Sequence, residues 1–145
     1  MRDKIKIDIF CEEVIIIQEA TVKEAVLKHK PNTDSIVKAN EGYFDNAYGC
    51  ATWYYNKEAY SPCMIFQNEI TINEIAHEAA HITFMIMDNK GLPNTEDNEE
   101  VFCYIIGYIV EKTVNILNNA KIKHNKKKES KPTKRGDAES INEGQ

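Results

Sequence analysis

Three stretches of the chain carry the pattern of hydrophobic and polar positions that is typical of strands. Residues 4–10, KIKIDIF, alternate with period two and place β-branched side chains on one side, which predicts a half-buried strand. Residues 48–56, YGCATWYYN, and 62–68, PCMIFQN, are aromatic and β-prone, and the short polar stretch KEAYS separates them. We interpret this pair as a hairpin, so the sequence predicts a short antiparallel or mixed sheet.

Two further segments have helical spacing. Residues 20–30, ATVKEAVLKHK, place small and β-branched apolar residues on one stripe and predict a short amphipathic helix. Thr71 and Glu74 form a T-x-x-E capping box, which predicts a helix over residues 72–89 that ends near Gly91. This second helix has the clearest start and stop signals in the chain.

The last third of the chain contains a long apolar segment and then a polar one. Asp97 with Glu100 three residues later is a capping signal, and the apolar run that follows predicts a helix over 98–119. From residue 121 the chain is rich in Lys, Asn, Ser and Glu and nearly lacks large apolar residues, so burial cannot offset its ordering entropy. We therefore predict one α+β domain over residues 1–120 and a basic, disordered tail over 121–145.

Charge and cysteine content narrow the class of protein. Residues 1–120 hold 10 Lys and Arg against 19 Asp and Glu, whereas residues 121–145 hold 8 against 4. The acidic charge of residues 1–120 argues against a nucleic-acid partner, apart from the basic tail, because duplex binding requires clustered cations. The four cysteines are widely spaced with no C-x-x-C pair, which indicates reduced thiols. The chain shows neither a signal-peptide pattern nor an apolar run of membrane length, so we expect a cytoplasmic protein with no membrane partner.

The stretch NEIAHEAAHITF, residues 73–84, carries the candidate chemistry. His77 and His81 lie four residues apart on the predicted helix, so their rings project from one face and can share one tetrahedral ion. Glu78 lies about 100° round the helix, where its carboxylate can take a proton from metal-bound water. H-E-x-x-H at this spacing predicts half of a hydrolytic Zn²⁺ site with Glu78 as general base.

The alternative is a helix with two structural histidines and no metal. The residues around the motif are apolar almost all round, so we expect a mostly buried helix. Two histidines and a glutamate buried there need polar partners or a metal, because unpaired burial of such groups is costly. This burial argument favours the metal site.

A third protein ligand is expected from the next helix. The acidic cluster EDNEE offers Glu96, Glu99 and Glu100, and an antiparallel helix would bring its first turn back towards the histidines. On the predicted helix 98–119, helical projection places one narrow stripe of residues apart from the apolar ones, and two orientations are open for it. The stripe faces either solvent or the H-E-x-x-H helix, and in the second case its glycine would permit close approach of the two helices. That stripe contains Glu100, Cys103, Gly107 and Glu111.

HEAAHITFMIMDNKGLP followed by DNEEVFCYIIGYIVEK resembles the small zincin-like metallopeptidases encoded by bacteriophages and prophages. The resemblance covers about residues 70–112. It implies a small zincin-like α+β fold with an N-terminal helix and a short sheet, followed by the H-E-x-x-H helix and a second long helix. It also implies Zn²⁺ bound by His77, His81 and Glu100, with Glu99 as the alternative third ligand, and Glu78 as general base.

The same resemblance implies a peptide or protein substrate in the cytoplasm of a bacterial host. In zincins the sheet edge beside the active-site helix often receives an extended peptide as an added strand, and residues 48–56 or 62–68 are the candidates here. The alternative, which we favour from the sequence, is that the aromatic residues of these strands only cover the helices; these are Trp53, Tyr54, Tyr55 and Phe66. Two rivals remain: a catalytically inactive zincin-fold accessory protein that keeps the metal for structure or recognition, and a metal-free helical interaction protein. The sequence leaves the oligomeric state open.

Overall fold

The computed structural model describes residues 1–10, 12–57 and 59–129. Short 3-10 turns occupy Asp8–Phe10 and Glu96–Asn98. The regular elements, in chain order, are β1 (Arg2–Ile7), β2 (Glu12–Glu19), α1 (Val22–His29), α2 (Thr33–Asn40), β3 (Gly49–Asn56), β4 (Ala59–Gln67), α3 (Ile72–Asn89) and α4 (Glu99–Glu129).

The four strands form one mixed sheet in the order β1-β2-β4-β3. The β1–β2 and β3–β4 pairs are antiparallel, whereas β2 and β4 are parallel and are joined through α1, α2 and β3. The predicted hairpin is confirmed, with Trp53 opposite Pro62 in its register. The α+β class and the mixed sheet are therefore as predicted, and β1 and β3 are the two edge strands.

Two elements were not predicted from the pattern. Strand β2 contains the run VIII, residues 14–17, and all four side chains are buried because helices cover both faces of this central strand. A strand buried on both faces loses the period-two alternation that identifies a half-buried one. Helix α2 is short and polar, and its N-cap is Asn32, whose side chain accepts a hydrogen bond from the Ser35 N–H at 2.8 Å.

The sheet is the middle layer between two helical layers. Helices α3 and α4 cover one face, over a core that includes Ile16, Met64, Phe66, Ile82 and Ile109. Helices α1 and α2 cover the other face, over a core that includes Ile17, Val22, Val26, Phe44 and Ile65. Alternate residues of the central strands β2 and β4 thus point into different cores, and α3 lies beside the edge strand β3.

The predicted start and end signals of α3 are confirmed. The Thr71 N–H donates to the Glu74 carboxylate at 2.6 Å, and the Glu74 N–H donates to the Thr71 hydroxyl at 3.4 Å, which completes the capping box. The chain turns at Gly91, where φ is 68°, in the left-handed region that favours glycine. Local sequence therefore sets both ends of the helix that carries the motif.

The start and end of α4 differ from the prediction. Asp97 is not an N-cap, because it lies inside the 3-10 turn, and α4 begins at Glu99. The helix continues past the predicted end at residue 119 to Glu129, so residues 121–129 are helical and the predicted boundary at 120 falls within a helix. The rest of the predicted tail, residues 130–145, lies outside the described residues.

Two expectations from the sequence concerned the cysteines, predicted to be reduced, and the helices, predicted to be too short or too polar to span a membrane. Cys50, Cys63 and Cys103 are free thiols, as predicted, and Cys11 lies outside the described residues. No helix within the described ranges combines the length and the apolar character needed to span a membrane.

Candidate metal centre

His77 and His81 meet on the surface of α3, one helical turn apart. Their Nε2 atoms lie 3.1 Å from each other, and their ring centroids are 4.7 Å apart at an interplanar angle of 76°. Both side chains are exposed. The two ring nitrogens therefore converge on one point above the helix, as the i, i+4 spacing predicts.

This separation fits two nitrogen ligands of one zinc ion. Zn–N bonds of about 2.0–2.1 Å at a tetrahedral angle place two ligand nitrogens about 3.3 Å apart. A hydrogen bond between two neutral imidazoles, one donating and one accepting, would also produce the observed 3.1 Å. The pair consequently suits a metal without requiring one.

The expectation of a mostly buried helix is wrong for the histidines. Helix α3 buries Ile75, Ala79, Ile82 and Ile86 against the sheet and α4, while the histidine side faces outward. The sequence did not indicate this difference between the two sides of the helix, because apolar residues occur on both of them. Phe84, for example, is large and apolar but exposed. The burial argument for a metal therefore applies to Glu78 alone.

Glu78 is enclosed between α3 and the edge strand β3. It is 8% exposed, and a Cβ placed on Gly49 would lie 2.8 Å from its Cγ and 3.1 Å from its Oε1. Burial raises the pKa of the Glu78 carboxyl, and positive charge on His77 or His81 and a hydrogen bond from the Ala51 N–H oppose that rise. The raised pKa makes the carboxylate a stronger base than an exposed glutamate.

A groove of about 660 Å³ opens beside this carboxylate. Glu78 and His81 form one wall, together with Phe84 and Met85 of α3, and the loop and strand residues 42–51 form the other. The side chain of Tyr43, on that loop, is 72% exposed. A ligand in this groove has direct access to the carboxylate and to one of the two imidazoles.

The structure does not bring Glu100 to the histidine pair. In the described part of the chain no third His, Cys, Asp or Glu stands close enough to the two imidazoles to complete a metal site. Glu99 lines a surface groove with Phe84, one turn beyond His81, whereas Glu100 lines none of the main grooves. Glu96 lines the same groove, so two of the three glutamates of the acidic cluster lie in a groove that α3 also lines, and Glu100 does not.

The stripe on α4 that contains Glu100 faces solvent. Glu100, Cys103, Gly107 and Glu111 are all exposed, and a Cβ on Gly107 would meet no atom within 4 Å. The solvent-facing alternative is thus confirmed, and close approach at Gly107 is wrong. Next to this stripe, the exposed Tyr108 side chain reaches β1, where its hydroxyl donates to the Lys6 carbonyl at 3.0 Å.

Sequence reasoning missed Gly49 and Ala51 as parts of the site. They alternate on β3, where Gly49 leaves room for the Glu78 side chain and the Ala51 N–H donates to its carboxylate. A glycine at the start of a predicted strand is a recognised signal of close approach by another group. That signal was present, but its partner became apparent only when β3 was placed beside α3.

The comparisons with known proteins add no identification. No protein-family model, curated protein or solved structure matches this chain.

Proposed function

We propose that this protein is a zinc-dependent hydrolase, and specifically a metallopeptidase of the small phage-encoded zincin-like type. One observation carries the proposal: two imidazole nitrogens converge to 3.1 Å on α3, where the residue next to His77, Glu78, is buried against a sheet edge. Two nitrogen ligands, a base of raised pKa and an adjacent groove are among the parts that water-mediated peptide hydrolysis needs, and a third metal ligand would complete them.

Different side chains of the site would bind the metal ion and transfer the proton. His77, His81 and one carboxylate from the start of α4 would hold Zn²⁺, which when bound polarises the scissile carbonyl and acidifies a water. Glu78 accepts the proton of the attacking water at its carboxylate and returns it to the leaving amine. The Ala51 N–H, which donates to this carboxylate, keeps it oriented beside the edge strand.

Glu99 is the better third ligand by position, and this revises the preference for Glu100. Its side chain lies on the same side of α4 as Phe102, whose ring packs 5.2 Å from that of Phe84 on α3. Glu100 would require α4 to rotate about its axis, which would expose the buried Phe102.

Metal titration with matched variants tests the site. We expect the purified protein to bind one equivalent of Zn²⁺, and His77→Ala and His81→Ala to lose at least a hundredfold in affinity. Glu99→Gln should weaken binding at least tenfold, while the neighbouring Glu100→Gln, equally exposed and of equal charge change, should leave it unchanged. Binding below half an equivalent in the unmodified protein after reconstitution would sink the metal proposal.

Hydrolysis is tested separately from metal binding. Glu78→Gln should retain Zn²⁺ and lose cleavage of a mixed peptide library by at least a hundredfold, because the amide cannot accept the proton. The rival, an inactive zincin-fold accessory protein, is favoured by the absence of an assembled third ligand among the described residues. Stoichiometric zinc without any library cleavage by the unmodified protein would select that rival.

A further inference from the structure

Every second residue of the edge strand β3 directs its backbone N–H and C=O groups away from the sheet. The Tyr48 carbonyl accepts from the Gln67 N–H at 3.1 Å on the β4 side, just before β3 begins. Because backbone groups alternate sides along an antiparallel strand, residues 49, 51, 53 and 55 direct their N–H and C=O groups away from β4. An added strand would pair with these groups, apart from the Ala51 N–H, which already donates to the Glu78 carboxylate.

Part of this edge is already occupied by the chain itself. The Tyr55 N–H donates to the Pro31 carbonyl at 2.8 Å, and the Asn32 Nδ2 donates to the Trp53 carbonyl at 2.6 Å. One of the two bonds comes from the Asn32 side chain, so these residues cover the edge at Trp53 and Tyr55 without forming a strand of their own. We call Pro31–Asn32 the edge block.

The edge block is firmly held. Pro31 is buried, and the Asn32 Oδ1 accepts from the Ser35 N–H at 2.8 Å as the N-cap of α2. The Asn32 Nδ2 also donates to the Thr52 hydroxyl at 2.9 Å. Displacing the block would therefore uncap α2 as well as break its pairing to β3.

The open part of the edge is short and lies at the candidate site. It comprises Gly49–Ala51, the two residues that contact Glu78 and the residue between them. Three residues of strand span about 10 Å. Beyond Gly49 the edge leads into the groove of about 660 Å³, whereas beyond Ala51 it ends at the edge block.

We infer, on the basis of the proposed function, that the substrate is the amino-terminal end of an extended peptide. We take the peptide to pair antiparallel to β3, because antiparallel pairing is the more stable arrangement. A peptide that pairs in this direction has its amino end towards Trp53 and its carboxyl side towards the groove. The edge block then leaves room for about two residues upstream of the bond beside Glu78, so cleavage removes short amino-terminal pieces.

Tethering one end of the peptide tests this asymmetry without requiring turnover. The probe is a hexapeptide library, either free, fused by its amino end to a carrier domain, or fused by its carboxyl end. Binding to zinc-loaded Glu78→Gln protein is followed by the fluorescence of Trp53, the single tryptophan of the chain. We expect carboxyl-tethered and free peptides to bind equally and amino-tethered peptides to bind at least tenfold more weakly.

The outcomes separate this inference from the proposed function. Equal binding of both tethered forms, or no peptide binding at all, overturns the inference. The expected asymmetry without hydrolysis by the unmodified protein would refute the enzyme and retain an end-specific peptide site. Where hydrolysis occurs, mass spectrometry of the products should place the cuts within about two residues of the amino end, and cuts spread along the peptides would contradict the inference.

A substitution in the edge block tests whether it causes the weaker binding of amino-tethered peptides. Asn32→Asp keeps an oxygen that can accept from the Ser35 N–H but loses the donor to the Trp53 carbonyl. It should reduce the penalty for amino tethering at least threefold, whereas Asn40→Asp, the same change at an exposed position of α2, should not. An unchanged penalty in folded Asn32→Asp protein would refute the role of Asn32.

Discussion

Replacing Gly49 with alanine tests the packing that encloses the proposed base. The added Cβ would lie 2.8 Å from Cγ, 3.1 Å from Oε1 and 3.2 Å from Cδ of Glu78. Ordinary contacts between such atoms are about 3.5–4.0 Å, so the Glu78 side chain must move by about 0.7 Å or leave its site. The backbone at Gly49 is not in the left-handed region, so the clash is the only penalty for alanine.

The expected cost follows from those distances. Inserting a methyl group into a filled site typically costs about 1–3 kcal/mol. Glycine in a strand is otherwise less stable than alanine by about 0.5–1 kcal/mol, which offsets part of that cost. We expect Gly49→Ala to lower the free energy of unfolding by about 1–2 kcal/mol, or about 3 °C in Tm per kcal/mol for a chain of this size.

A double-mutant cycle identifies the cause of the loss. Urea denaturation is measured for Gly49→Ala, for Glu78→Ala and for the double variant. Without the Glu78 side chain the three atoms nearest to the added methyl group are absent, so Gly49→Ala should then be neutral or stabilising. An equal loss in both backgrounds would refute the contact between Gly49 and Glu78. Gly107→Ala serves as a control, because its open surroundings predict stabilisation by about 1 kcal/mol.

Two further predictions concern stability away from the site. Burial alone would raise the pKa of Glu19, but hydrogen bonds from His29, Lys28 and the terminal amine lower it to about 2 from an ordinary 4.5. Because the folded-state pKa is depressed, this contribution to the free energy of unfolding is present above pH 4.5 and is lost as the pH falls towards 2. Glu19→Gln should therefore cost about 2 kcal/mol at pH 7 and little at pH 2 in urea titrations, and a cost independent of pH would contradict the assignment. Thr113→Val should be neutral or stabilising by about 1 kcal/mol, because its buried hydroxyl finds no partner among the described residues. Thr83→Val, equally buried, should cost about 1 kcal/mol, because its hydroxyl donates to the Ala79 carbonyl at 2.8 Å; the reverse order in thermal denaturation would refute this comparison.

Elements with a distinct local signal were predicted well. The capping box at Thr71 and Glu74 and the turn at Gly91 set α3, and the aromatic pattern with its polar break set the β3–β4 hairpin. Strand β2 was missed because burial on both faces removes alternation, and the end of α4 was misplaced because a polar helix carries no apolar signal. Local sequence patterns predict a helix or strand correctly when the residues that determine it lie within that helix or strand.

The sequence by itself determined the pair of histidines and the neighbouring glutamate, because i, i+4 spacing on a well-capped helix leaves their relative positions almost no freedom. Only the tertiary structure decided what surrounds them. It placed Gly49 and Ala51 against Glu78, turned Glu100 to solvent, and set Pro31–Asn32 on the edge of β3. These relations join residues that are distant in the chain, and they depend on strand order and helix orientation, which the whole core fixes and no short segment encodes.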